Sequence, residues 1–448
     1  MPSPSVGIAT TLAILCPSLA SAANGTALDS KTCAAHGFQP GQQVPPLNEP
    51  SHQEPTNAAA ASQQRPWKFS WEKGLEGGWR QSLEDRGIRF NLFFNDQYQA
   101  VAKGGLDTNG GRNSASMDAF LMLDLGRLGW IDNADALLHL QSNWGAGVNN
   151  RVGSLADVND DADGDLGLHV AQLWYRHRFL ESRVSLTTGF LDFQTIVDRN
   201  AFANSEDKQF WNQALDNNPL VPLGIGLGAW AEIQPTSWWT INLGAVDAQS
   251  ELYETGFSTA FHEEAWFLAY AETTFKPNLP SKRGPLAGNY RIGLVYDPRQ
   301  RNGFPLPRRD PESRGDDYGE YVSVDQKLFR ENEKDDQGLG VFGRFGYRTP
   351  ETNRIGRFWS AGFSYTGLIP KRDADVLGFG FALQRPSGLY RSRVDSEFDN
   401  EAVYELYYAI QLNKWLVITP DVQYVENPGG SNDGKPAVVA GVRVRASF

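Results

Sequence analysis

From Ile88 onward, apolar and polar residues alternate: Ile88, Phe90, Leu92 and Phe94 fall on one side, Arg89, Asn91, Phe93 and Asn95 on the other. Successive side chains of a strand point to opposite faces, so the alternation predicts strands with one apolar and one largely polar face. It recurs over 88–102, 115–127, 134–145, 167–179, 183–192, 222–234, 238–247 and 264–276. A second set follows at 288–297, 318–329, 339–348, 357–367, 376–385, 402–412, 415–425 and 436–448, making sixteen strands in all. At about 10 to 13 residues each, they suit tilted strands crossing a hydrocarbon layer of roughly 25–30 Å.

The connections alternate between tight ones, such as Leu180-Glu181-Ser182 and Pro235-Thr236-Ser237, and long ones, such as 146–166 and 193–221. A soluble sandwich has no reason to alternate this way, whereas bacterial outer-membrane barrels combine short periplasmic turns, long outer loops and an even strand number. The fold class is therefore all-β, a sixteen-stranded antiparallel transmembrane β-barrel over 88–448, with both termini periplasmic. Closure leaves no edge unpaired, and each unpaired backbone group in lipid would cost several kcal/mol. The last strand fixes the faces. Val438, Ala440, Val442, Val444, Ala446 and Phe448 point to lipid, and Arg443 and Arg445 point to the lumen, because arginine on the lipid side costs ~2–4 kcal/mol at the midplane. Trp130, Trp238, Trp239, Trp266, Trp359, Trp415 and Tyr424 lie near strand ends, where interfacial girdles form.

Upstream, the apolar run Val6 to Leu15, Pro17 and the small residues of Leu19-Ala20-Ser21-Ala22-Ala23 read as a signal peptide over 1–22, cut after Ala22, although no Lys or Arg precedes the run. Cleavage removes Cys16 and leaves only Cys33, so no internal disulfide forms. Residues 23–65, rich in Pro, Gln and Ala without apolar periodicity, are a flexible periplasmic lead-in. Residues 66–87 form a short periplasmic segment, with a helix over 79–86 and Gly87 placed to take the left-handed conformation past its end. The mean hydropathy is −0.44, and no later run approaches the ~20 apolar residues of a membrane helix. A net charge of −12 argues against nucleic-acid partners, which need clustered Lys and Arg. The acidity is local to connections, clearest at Asp157 to Asp165.

A barrel of this width cannot be filled by its own side chains and leaves an aqueous channel unless a segment folds inward. The connection after the fifth strand is the candidate. It carries Asp192, Asp198, Arg199, Asn200, Glu206, Asp207, Lys208, Trp211 and Asn212, with a solvated lid as the alternative. Projecting the strand alternation inward collects Arg89, Gln172, Trp174, Arg176, Arg178, Arg291, Arg344 and Arg348. It adds Glu405, Tyr407, Asp421, Gln423, Arg443 and Arg445. Arginine's rigid fork of donors bridges neighbouring sugar hydroxyls, Trp and Tyr faces take the apolar side of a pyranose, and carboxylates and amides accept. For any single arginine, pairing with a lumen acid or tuning anion preference is the alternative.

Asn159-Asp-Asp-Ala-Asp-Gly-Asp165 resembles the start of a calcium loop with Gly164 at the turn, but Val170 stands where a bidentate Glu belongs. No EF-hand and no metal are assigned. A looser calcium site at Asp161, Asp163 and Asp165 stays open beside a simple solvated acidic loop. There is no Gly-x-Ser-x-Gly, no His-Glu-x-x-His and no phosphate-binding loop, so no catalytic residue and no cofactor are assigned. His262-Glu263-Glu264 reads as a solvated rim.

Three stretches resemble the carbohydrate-selective porin family (OprB type) of Gram-negative outer membranes, and the resemblance spans nearly all of 71–448. They are Gly78-Trp-Arg-Gln-Ser-Leu-Glu-Asp-Arg-Gly-Ile-Arg-Phe90 with Gly104-Gly105, Gly189-Phe-Leu-Asp-Phe193 with Asp198-Arg-Asn-Ala-Phe202, and Glu401-Ala-Val-Tyr-Glu-Leu-Tyr-Tyr408 with Thr419-Pro-Asp-Val-Gln-Tyr-Val-Glu-Asn-Pro-Gly-Gly430. The resemblance implies an outer-membrane channel with an arginine-rich constriction that passes glucose and related sugars by diffusion, without an enzymatic step. The expected partners are mono- and small oligosaccharides, outer-membrane lipid and lipopolysaccharide, and the outer-membrane assembly machinery, with the barrel a monomer or trimer. A general diffusion porin is the alternative, followed by a barrel hydrolase and a secreted glycan-binding β-protein.

Overall fold

The two-residue alternation is realised as strands throughout a computed structural model that describes residues 78–222, 224–249, 266–299, 301–302, 313–314, 316–333, 335–391, 399–432 and 434–448. The signal peptide, the lead-in, residues 66–77 and the His262-Glu263-Glu264 rim lie outside the described residues. Eight strands make the first half: β1 (Ile88–Lys103), β2 (Gly111–Asp124), β3 (Ala134–Trp144), β4 (Leu166–Phe179), β5 (Val184–Asp192), β6 (Ile225–Thr236), β7 (Trp239–Asp247) and β8 (Phe267–Phe275). The second half is β9 (Leu286–Asp297), β10 (Asp317–Arg330), β11 (Gly338–Arg348), β12 (Ile355–Thr366), β13 (Val376–Pro386), β14 (Glu401–Asn413), β15 (Leu416–Glu426) and β16 (Ala437–Ser447). Each pairs antiparallel with its chain neighbours, and β1 pairs with β16 to close the sixteen-stranded barrel. Closure runs in the register Phe94↔Ala446 and Tyr98↔Val442. The helix α1 (Gly78–Asp85) ends before Gly87 at φ +91°, and Arg80 ties it to β1 by donating to the Phe90 carbonyl (2.9 Å).

The faces follow the alternation. On β16, Arg443 and Arg445 are buried inside while Val442 is 42 % exposed outside, and Leu406, Val422, Ile292 and Leu294 continue the exposed outer band. Among the aromatics placed in girdles, Trp238 and Trp239 stack with each other and with Phe275 at the short-turn end, and Trp415 stacks on Phe448 at 6.4 Å. Trp266 departs from that reading, because it packs against the buried cluster around Phe193.

Two of the long connections turn into the barrel. The β3–β4 loop contains the short helix α2 (Asn149–Val152), and the β5–β6 loop contains α3 (Gln213–Asp216). Val148, Val152 and Val158 from the first join Phe210, Ala214 and Leu215 from the second in one buried cluster with the wall residues Phe342, Phe358, Val403, Tyr407 and Val439. Burying each large apolar side chain contributes about 1.5–3 kcal/mol, so this interior holds the loops in. The acidic stretch 157–165 is therefore not a plain solvated loop. Asn159 and Asp161 are buried against β1 and β2, and Asp161 accepts from Gln97 and from Ser116 (2.9 Å).

Glycines on the inner face make room for these rings. A Cβ on Gly340 would stand 2.0 Å from the Phe202 ring, one on Gly380 2.7 Å from Leu215 and 2.9 Å from Phe210, and one on Gly441 2.8 Å from Trp211. A strand with β-branched residues at those positions would push the loop toward the axis or out of the barrel.

Candidate functional site

Period-two strands bring inward residues from neighbouring strands side by side, and here arginines meet acids. Arg176 on β4 donates to Asp135 on β3 through Nε (3.0 Å) and Nη2 (2.6 Å), and Arg178 donates to the same carboxylate. Arg176 also lies over the Trp174 ring at 5.4 Å, and Trp174 Nε1 donates to Gln172 (3.3 Å). Arg291 donates to Asp325 (2.6 Å), and Arg348 pairs with Asp317 (2.8 Å). Arg89, half-buried, sits apart from these near the short-turn end of β1, where it pairs with Met122.

The remaining lumen groups hold the β5–β6 loop. Glu405 accepts from the backbone N–H of Trp211 (2.6 Å) and Asn212 (3.0 Å). Gln423 donates to the Val158 carbonyl (2.8 Å) and to Asp421 (3.2 Å), and accepts from the Asn212 side chain (3.0 Å). Arg443 donates to the carbonyls of Glu206 and Gln209 (the latter 3.0 Å) and lies over the Trp211 ring at 5.3 Å. Arg344 donates to the carbonyls of Leu215 (2.8 Å) and Ala203 and pairs with Asp198 (3.4 Å). Arg445 pairs with Asp207 (2.8 Å) over the Phe93 ring. Asn200 donates to the Val324 carbonyl (3.1 Å), and the Asp198 N–H donates to Glu272 (2.8 Å). The first residues of this loop thus meet β8 and β10, its middle, 206–212, meets β14 to β16, and Ala203 and Leu215 on either side of that stretch meet β11.

Sequence reasoning placed Trp211, Glu405, Gln423 and Arg443 at the solute. The structure brings them together, but each is no more than 1 % exposed and holds loop to wall. Arg199, Asp207 and Lys208 keep partial solvent access on the loop, as Arg178 and Arg89 do on the wall. Burial lowers the Arg199 guanidinium to about 10, and the nearby Arg291 charge adds to this. For Asp207, burial pushes the carboxyl up, but the Arg445 and Lys208 charges outweigh it and hold it well below the usual range.

Asp161, Asp163 and Asp165 do not converge. Asp161 faces Gln97 and Ser116, Asp163 accepts from Asn143 (3.1 Å), and Asp165 accepts from the Gly145 N–H (2.8 Å). What sequence reasoning missed is the wall acids Asp135, Asp325 and Glu272, the glycine sockets, and Glu401. The Glu401 carboxylate accepts from Ser154 Oγ (2.6 Å) and from the N–H of Leu155 (2.8 Å) and Gly429 (2.6 Å), fastening the β3–β4 loop. The acids had a legible signal, since they share inward positions with the arginines across a strand pair.

Residues 108–448 match the family described as "Carbohydrate-selective porin, OprB family". The chain is 24 % identical to Porin B of Pseudomonas aeruginosa, covering 88 % of this chain and 94 % of that one. It is 23 % identical to the putative porin QuiX of Acinetobacter baylyi, covering 84 % and 93 %. Among solved structures, the high-pH form of Pseudomonas putida OprB superposes with a TM-score of 0.71 over 83 % of this chain and 96 % of that one, at 21 % identity. The low-pH form of the same protein gives 0.53 over 85 % and 100 %, at 19 % identity.

Proposed function

The chain belongs to the carbohydrate-selective porin family, and from that premise we propose that it passes monosaccharides such as glucose, and small oligosaccharides, across the outer membrane by passive diffusion. Long loops then lie outside and both termini in the periplasm. The observation that carries the reading is the pair of inward loops stitched to ten or so wall groups, which narrows a lumen otherwise wide enough for general diffusion. Solvent-reaching Arg199, Lys208 and Arg178 supply donors and Asp207 an acceptor, polar groups that a sugar exchanges for part of its hydration shell. Binding at each group stays weak, since conduction needs exit as well as entry.

The test is swelling of proteoliposomes. Glucose is expected to enter faster than a disaccharide and faster than an uncharged non-sugar of glucose's size. Equal rates for glucose and the non-sugar would reduce the protein to a general diffusion porin. No step of this reading breaks a bond, and the relatives reported above are named as porins.

A further inference from the structure

The two inward loops meet along a seam. Across it, the Asp160 N–H donates to the Trp211 carbonyl (2.8 Å) and the Gln213 N–H donates to the Asp157 carbonyl (2.9 Å). Beside these bonds, one carboxylate oxygen each from Asp160, Glu206 and Asp216 lie within 4.8 Å of one another. Three carboxylates this close repel unless protons or a cation sit among them. Asp216 is 3 % exposed, and its Oδ1 meets no hydrogen-bond donor. A carboxylate oxygen of this buried side chain lies within 4.8 Å of those of Asp160 and Glu206, so the group is aimed into the cluster.

Nearby cations are committed elsewhere. Arg344 holds Asp198 and two carbonyls, Arg443 holds two carbonyls, and Arg445 holds Asp207. Among the described residues no salt bridge reaches Asp160, Glu206 or Asp216. Burial, reinforced by neighbouring carboxylates, raises all three, Asp160 to about 7.

We propose that Asp160, Glu206 and Asp216 bind one calcium ion, which clasps the two inward loops to each other. The donors are all oxygen, which selects a hard cation over the softer metals that favour nitrogen or sulfur. Calcium–oxygen bonds of about 2.3–2.6 Å allow two ligands on one ion to lie up to about 5 Å apart, and the observed spacing falls within that reach. Two ligands come from one loop and the third from the other, so the ion joins segments that strands alone do not connect. The clasp is independent of which solute the channel selects and stands or falls without the sugar reading.

The experiment uses the full chain in detergent, stripped with chelator and titrated with calcium chloride by calorimetry, alongside Asp216→Asn, Glu206→Gln and the control Asp163→Asn/Asp165→Asn. One equivalent is expected to bind the parent protein. Affinity should fall about tenfold or more in Asp216→Asn and Glu206→Gln and be unchanged in the control. No binding at millimolar calcium, undiminished binding in both single variants, or loss in the control instead would each overturn the proposal. Thermal unfolding of Asp216→Asn gives a second readout that a merely crowded acidic cluster would not reproduce. The variant should outlast the parent protein in chelator, where repulsion is relieved, and unfold before it in calcium. The same order in both media overturns the site.

Discussion

Arg443 points into the barrel as its strand parity requires, yet its guanidinium is 1 % exposed and closes on loop carbonyls. Removing a charged donor leaves buried carbonyls unmade, at about 1–3 kcal/mol each. Arg443→Ala should therefore loosen residues 206–209 from β16, raising single-channel conductance and lowering stability by roughly 1–3 kcal/mol in denaturant titration. Arg443→Lys, which keeps a donor without the fork, should recover part of the conductance change. Unchanged conductance in both would show that the loop does not bound the channel there. Gly340 makes the complementary case from space. Gly340→Val puts branched carbon where the Phe202 ring lies, and overpacking of this kind costs about 1–3 kcal/mol. The expected outcome is a folded barrel with a displaced loop, read as increased protease cleavage within 201–212.

Strands and loops differed in how far the sequence reveals them, and the difference is physical. A strand between lipid and water must alternate, so Ile88 to Asn95 and Val438 to Phe448 state both their conformation and their faces. Most predicted boundaries fall within three residues of those observed, and β2 begins four residues earlier because Gly111 to Ser114 continue the pairing with β1. The loops carry no such period. The β5–β6 loop was legible as an inward candidate through its mix of Asp, Arg and Trp, but the β3–β4 loop was not, because Asp157 to Asp165 has the composition of a solvated segment. Its burial depends on Gln97, Ser116 and Glu401, which are far away in sequence and close only after closure. For the same reason the inward arginines and the loop acids Asp198 and Asp207 are legible, while the loop carbonyls that receive Arg344 and Arg443 are not.

At the short-turn end, a single element shows pH dependence of known sign. In the β12–β13 turn, Asp375 accepts from Arg372 (two bonds of 2.7 Å), from Tyr408 (2.8 Å) and from the Gln411 N–H (3.0 Å). Burial pushes its carboxyl up, but these bonds, Arg372 foremost, hold it below the ordinary value. A depressed carboxyl stabilises the fold above its unfolded pKa, and the contribution is lost as pH falls toward the folded one. The parent protein should therefore lose thermal stability on acidification below about pH 4 more steeply than Asp375→Asn. Parallel curves would remove Asp375 from the account.

For the whole molecule, the barrel depends on one seam between its first and last strands. The Phe448 N–H donates to the Leu92 carbonyl (2.8 Å), the Leu92 N–H donates back (3.2 Å), and the ring stacks on Trp415. Deleting Phe448 should reduce the yield of folded, heat-modifiable barrel while leaving the conductance of the molecules that do fold unchanged. A normal yield would place closure elsewhere along β16. Strands define a wide pore, inward glycines and arginines seat two loops in it, and in the proposed function those loops make it selective. The most direct test compares proteoliposome swelling by glucose and by a disaccharide for the parent protein and for a variant whose residues 203–216 are replaced by a short Gly-Ser linker. The account predicts a glucose preference in the parent protein that collapses toward equal, faster rates in the variant. An unchanged preference would contradict it.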